Sequence, residues 1–189
     1  MAEVLLRARL ATVAPEVVVG SAGLLFDGRP AERHAIKTMA KIGLDLSTHA
    51  ARKISVELLA GTSIILGMER RHVREVATLD PALFARSFTL PELVHATSIV
   101  GPRPAEVDLR TWVEHLGSLR SAADYSLRDR ASEIEDPMGG SARAFRSCAQ
   151  TIDERLATLV ALTWPHPTPR DPAVAPATSG DIHADRDRR

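Results

Sequence analysis

The sequence predicts an α/β protein, and three observations carry that expectation. The runs Val17-Val18-Val19 and Thr62-Ser63-Ile64-Ile65-Leu66-Gly67 are short and rich in apolar and β-branched residues, as expected of strands buried on both faces of a parallel sheet. Stretches with apolar residues at helical spacing alternate with them. Gly, Pro, Ser and Asp fall at the junctions, where caps and turns require them. Alternation of this kind is the pattern of an α/β layer structure.

Taken in order, Val4, Leu5, Ala8 and Ala11 form one face of an opening helix, with Glu3, Arg7 and Arg9 mostly off it. A first strand over residues 17–20 ends at Ser21-Ala22-Gly23. Pro30 suits a first helical position and Gly43 the place just past a last one, so a second helix lies between them on Ala35, Ile36, Met39 and Ala40. Ser47 and Ser55 are cap residues for two short helices, the second closed by Gly61. A strand over residues 62–67 follows, then a helix over residues 69–78, a short turn capped by Asp80-Pro81 and a weak strand, Ser87-Phe88-Thr89-Leu90. Residues 98–107 read as loop. Leu109, Trp112, Val113, Leu116 and Leu119 mark a further helix, and Phe145, Cys148, Ile152, Leu156, Leu159 and Val160 stripe a long one opening at Ser141. Beyond Trp164 the chain has five prolines, no aromatic residue and a charged end, which predicts a disordered tail over residues 165–189. Residues 1–164 are then one domain.

Twenty-four basic residues balance twenty-four acidic ones, so no bulk field favours nucleic acid or an anionic membrane. Cys148 is the sole cysteine and can form no internal disulfide, and no long apolar run suggests a membrane span; a cytoplasmic location is the expectation. His34, His72, His95 and His115 have no partners at metal-ligand spacing, so neither a metal nor another cofactor is expected. Arg70-Arg71 reads as a solvated helix face, and Gly139-Gly140 is too short to cradle a phosphate alone. Cys148, on the apolar face of the last helix, reads as structural.

Five short stretches in one order resemble the low-molecular-weight protein tyrosine phosphatase family: Met1-Ala2-Glu3, Ser21-Ala22-Gly23, the segment Asp45-Leu46-Ser47-Thr48-His49-Ala50-Ala51-Arg52, Met68-Glu69 with His72, and Asp136-Pro137-Met138-Gly139-Gly140-Ser141. The resemblance spans roughly residues 1 to 164 and implies a three-layer fold around a parallel sheet. It implies hydrolysis of phosphate monoesters through a phosphocysteine, with a phosphoprotein or a small aryl phosphate as partner. Asp136 corresponds to the general acid, which protonates the leaving phenolic oxygen and then activates water. Ser21 and His49 correspond to residues that support the phosphate loop by hydrogen bonds. Where family members often carry aromatics that flank the substrate ring, this chain has Met138 and Gly139, which weakens the expectation of a phosphotyrosine preference.

In that family a central strand and a loop reading Cys, five residues, Arg, Ser-Pro stand before the Met-Ala-Glu helix; the loop's backbone N–H groups and the helix's positive end hold the phosphate. The 189 residues contain no such loop, so the sequence predicts the chain to be inactive as it stands, with the central strand absent beside residues 17–20 and 62–67. An arginine- and alanine-rich composition hints at a GC-rich genome, in which the start would lie upstream at a non-ATG codon. The alternative is a non-catalytic interaction module. Arsenate reductases of this architecture relay electrons through additional cysteines, which this chain lacks.

Overall fold

The computed structural model describes residues 1–121 and 133–165. Within them, two short parallel strands, β1 (Ile65–Gly67) and β2 (Ser87–Thr89), pair with Leu66 opposite Phe88. Successive strand residues point to opposite faces. Leu66 and Phe88 accordingly join the main core, whereas Ile65 meets a second cluster made by Leu59, Val76 and Leu83. The sheet therefore lies between two apolar layers, and the chain is α/β with a small parallel sheet.

On the main-core side, α1 (Ala2–Leu10), α2 (Arg33–Ala40), α5 (Leu90–Val100) and α7 (Ala142–Thr163) contribute Leu5, Met39, Leu93, Phe145, Ile152 and Leu156. The helix α6 (Leu109–Ser118) adds Trp112, Val113 and Leu116. The other face is covered by α3 (Val56–Ala60), α4 (Arg70–Leu79) and a 3-10 helix over Pro81–Arg86. An ion pair from Arg9 to Asp153, 2.7 Å, fastens α1 to α7.

Several local expectations are corrected. Residues 17–20 form no strand: Val18 is 94% exposed, while Val17 and Val19 rest against Leu10, Ala14 and Val160, and bridging to another segment begins at Gly23 with Lys53. The valines gain burial at the α1–α7 end instead of through a ladder. In α1 the buried residues are Leu5 and Leu10, with Ala8 and Ala11 exposed, because α7 covers a different side of the helix from the one the spacing suggested. Ser47 caps no helix; its N–H donates to Asp45 Oδ1 at 2.8 Å, and a side chain that captures backbone donors favours a turn. The second helix begins after Glu32, whose carboxylate accepts from His34 and Ala35, rather than at Pro30. Leu90 opens a helix instead of ending a strand, since Thr89 and Glu92 close a capping box around it. Leu119, read as part of the buried stripe of α6, is 62% exposed just past its end. The strand at 62–67 is confined to Ile65–Gly67. The tail expectation falls, from residue 166 onward, outside the described residues.

Candidate functional site

Glu3, in the first turn of α1, gathers the residues that the sequence singled out separately. Its Oε2 accepts a hydrogen bond from Ser21 Oγ and lies 3.7 Å from His49 Nδ1. Its Oε1 accepts from Arg7 Nη2 at 2.5 Å, one helical turn away. The same Arg7 nitrogen donates to the Val19 carbonyl at 3.0 Å, and Arg52 Nη2 donates to the Ser21 carbonyl at 3.2 Å. A Cβ at Gly20 would come within 2.9 Å of that Arg52 nitrogen, so glycine there lets the guanidinium approach. Segment 19–21 is thus held from both sides at the opening end of α1.

The Glu3 side chain is only 14% exposed. Burial alone would raise its carboxyl pKa; hydrogen bonds from Ser21 and Arg7, with the charges of Arg7 and His49, outweigh burial and leave it below the ordinary value. The group is therefore a carboxylate with its donors in place. Sequence reasoning left Glu3 out of the site, since an acidic residue in a first helical turn is already accounted for by the helix dipole.

Asp136 is exposed, and its Oδ1 accepts from Met138 N–H at 3.0 Å, which shapes the turn into Ser141, the cap of α7. The loop before it is tied down: Ile134 is buried and its N–H donates to the Met68 carbonyl at 2.8 Å, while Glu133 Oε1 accepts from Arg70 N–H at 2.9 Å. Met138, 63% exposed, and Gly139, at φ 77°, follow the Asp-Pro pair.

Asp136 acts electrostatically on two neighbours, His72 and Cys148. Cys148 is half-buried against the main core, and burial, reinforced by the Asp136 charge and only partly offset by the Met1 amine, pushes its thiol up. The thiol is held protonated, the opposite of what a nucleophilic cysteine needs. The sequence placed Cys148 far from the site in motif order, whereas in space it stands near Asp136. Ser21 and His49 come together on Glu3; no hydrogen bond among the described residues joins Asp136 to that cluster. Among the described residues no group of three His, Cys, Asp or Glu could hold a metal ion, and no helix is long and apolar enough to cross a membrane.

Chemically, the described residues supply two separate features, the exposed Asp136 carboxyl and the braced opening of α1. A depression of about 440 Å³, lined by Arg9, Val13, Ala157 and Trp164, lies at the other end of α1 and belongs to neither group.

The sequence model of the family described as low molecular weight phosphotyrosine protein phosphatase matches residues 1–99. Etp of Escherichia coli strain K12, a low molecular weight protein-tyrosine-phosphatase, is 30% identical over 132 residues, which cover 69% of this chain and 79% of that protein. The "Probable low molecular weight protein-tyrosine-phosphatase EpsP" of Ralstonia nicotianae is 35% identical over 94 residues, 49% of this chain; the match spans 62% of that relative's length. The solved low molecular weight protein tyrosine phosphatase of T. tengcongensis superposes with a TM-score of 0.62 at 21% identity, covering 84% of this chain and 86% of that one, a likeness of fold.

Proposed function

Because this chain belongs to the low molecular weight phosphotyrosine protein phosphatase family, we propose that it carries the proton-transfer and supporting half of a phosphate-monoester hydrolase, with Asp136 as general acid. The substrate is a phosphoprotein bearing phosphotyrosine, or a similar aryl phosphate. In the reaction a thiolate attacks phosphorus and the P–O bond to the phenol breaks as Asp136 gives its proton to the departing oxygen. Water then attacks the phosphocysteine, its proton passing to the Asp136 carboxylate, and the thiolate leaves with both bonding electrons. Ser21 and His49 serve through Glu3, which transmits their hold to the opening of α1.

The observation that supports this reading is the convergence of Ser21 and His49 on Glu3 in the first turn of α1. The nucleophile is not Cys148, whose half-buried, protonated thiol sits on α7. No Cys-x5-Arg loop occurs among the 189 residues, and on their own they are inactive. The protein works in the cytoplasm, a reading supported by its single cysteine.

The test is hydrolysis of p-nitrophenyl phosphate by the purified 189-residue protein. No turnover is expected. Turnover abolished by Cys148→Ser would make Cys148 the nucleophile after all, and turnover indifferent to Asp136→Ala would remove the acid role.

A further inference from the structure

His72 occupies the third position of α4, and its ring nitrogen faces back along the chain. Nδ1 lies 3.2 Å from both the Met68 and the Glu69 backbone nitrogens, which donate to it. Glu69 returns the favour through a capping box with the His72 backbone, and the His72 N–H donates to the Glu69 carbonyl at 3.0 Å. A nitrogen that accepts two N–H groups carries no proton, so the imidazole is neutral in this arrangement.

The turn that His72 closes is the one to which the acid loop is tied. The Met68 carbonyl accepts from Ile134 N–H, and Arg70 N–H donates to Glu133. On the sheet side, a Cβ at Gly67 would come 2.9 Å from the His72 Cβ, so β1 ends in a residue that leaves room for this ring. The geometry points to His72 as the positioning residue of the acid loop: its unprotonated Nδ1 holds the Met68–Glu69 turn, that turn holds Glu133 to Asp136, and protonating the ring releases them.

The charged groups around the ring are Glu69 and Arg71 on its own element and Glu133 and Asp136 on the acid loop. β1 and β2 contribute none, and Arg86 of the 3-10 helix is turned toward the Leu59 and Ala60 carbonyls and Glu114. Burial, the largest influence, and Arg71 lower the ring's pKa against the three carboxylates, which agrees with a neutral ring. A histidine whose folded pKa is depressed supports the fold above its unfolded value, about 6.5, and loses that support as pH falls through the folded value.

The consequence for catalysis rests on the acid role of Asp136, but the latch is measured without turnover, so the two can fail separately. In the 189-residue protein, the protection factor of the Ile134 amide is followed by hydrogen exchange beside the His72 imidazole titration, with Ile152 of α7 as reference. Protection of Ile134 is expected to fall roughly tenfold as His72 protonates, through loss of two accepted hydrogen bonds, while Ile152 holds. His72→Asn, which keeps an acceptor oxygen and does not titrate, is expected to protect Ile134 evenly across that range, and His72→Ala to leave it poorly protected throughout. Ile134 protection that ignores the titration, a fall shared equally by Ile152, or a step persisting in His72→Asn would each overturn the assignment.

Discussion

Ser21 donates its hydroxyl hydrogen to Glu3, joining the segment after α1 to the first turn of that helix. Arg7 and His49 complete the carboxylate's surroundings, so one side chain is the meeting point of three segments distant in sequence. Replacing Glu3 with Gln keeps the volume but removes the charge and one of the two acceptor oxygens, so Arg7 and the Ser21 hydroxyl can no longer both donate to it as they do now. The expected cost is about 1–3 kcal/mol at neutral pH, read from urea unfolding. Its sign with pH follows from the depressed pKa: the stabilisation is present above the ordinary value of 4.5 and is lost as pH falls through the folded value. The stability difference between the native protein and Glu3→Gln should therefore shrink on acidification. A difference that stays constant from neutral to acid pH would sink the assignment of a charged Glu3.

Local signals made much of this legible, and distance hid the rest. The stripe of α7 and its Ser141 cap follow from spacing and cap chemistry within one element, and both are in place. Ser21 and His49 were recognisable by motif, but that they share a partner depends on a packing of α1 that no local pattern encodes. Val17 to Val19 have strand composition and yet form no strand, because pairing requires a neighbouring strand that periodicity cannot supply. The helix α5 is legible in principle, because Thr89, Pro91 and Glu92 spell a capping box with proline in the first turn, although the run through Leu90 also has the composition of a strand.

That same box supports a second prediction. Thr89 is fully buried; its hydroxyl accepts from Glu92 N–H at 3.2 Å, and its own N–H donates to Glu92 Oε2 at 3.1 Å. Thr89→Ala should destabilise the protein by about 1–2 kcal/mol, whereas Thr89→Ser, which keeps the cap, should recover most of the loss. Equal midpoints in denaturant for the two variants would mean that the lost methyl, not the cap, sets the cost.

Gly117, near the end of α6, lies against the 3-10 helix so closely that a Cβ there would sit 1.9 Å from the Ala85 carbonyl oxygen. The obstacle is backbone, which cannot swing aside as a side chain can. Gly117→Ala should lower stability by about 1–3 kcal/mol despite alanine's better helix propensity, since overpacking outweighs a propensity gain of about 1 kcal/mol. A thermal midpoint equal to or above that of the native protein would show that the two helices are not in this contact.

Cys148 offers the most direct check on where the site's chemistry lies. Burial and then the Asp136 charge raise its pKa, so at a given pH less of it is thiolate than in an exposed cysteine. Reaction with a disulfide reagent near neutral pH should be slow in the native protein and accelerate sharply on unfolding. Asp136→Asn removes one of the two raising influences and leaves burial, so it should speed the reaction by only roughly two- to fivefold. Two outcomes would count against this picture: native reactivity as fast as that of an unfolded chain, which would mean an activated thiol, or no response to Asp136→Asn, which would separate Cys148 from the acid loop.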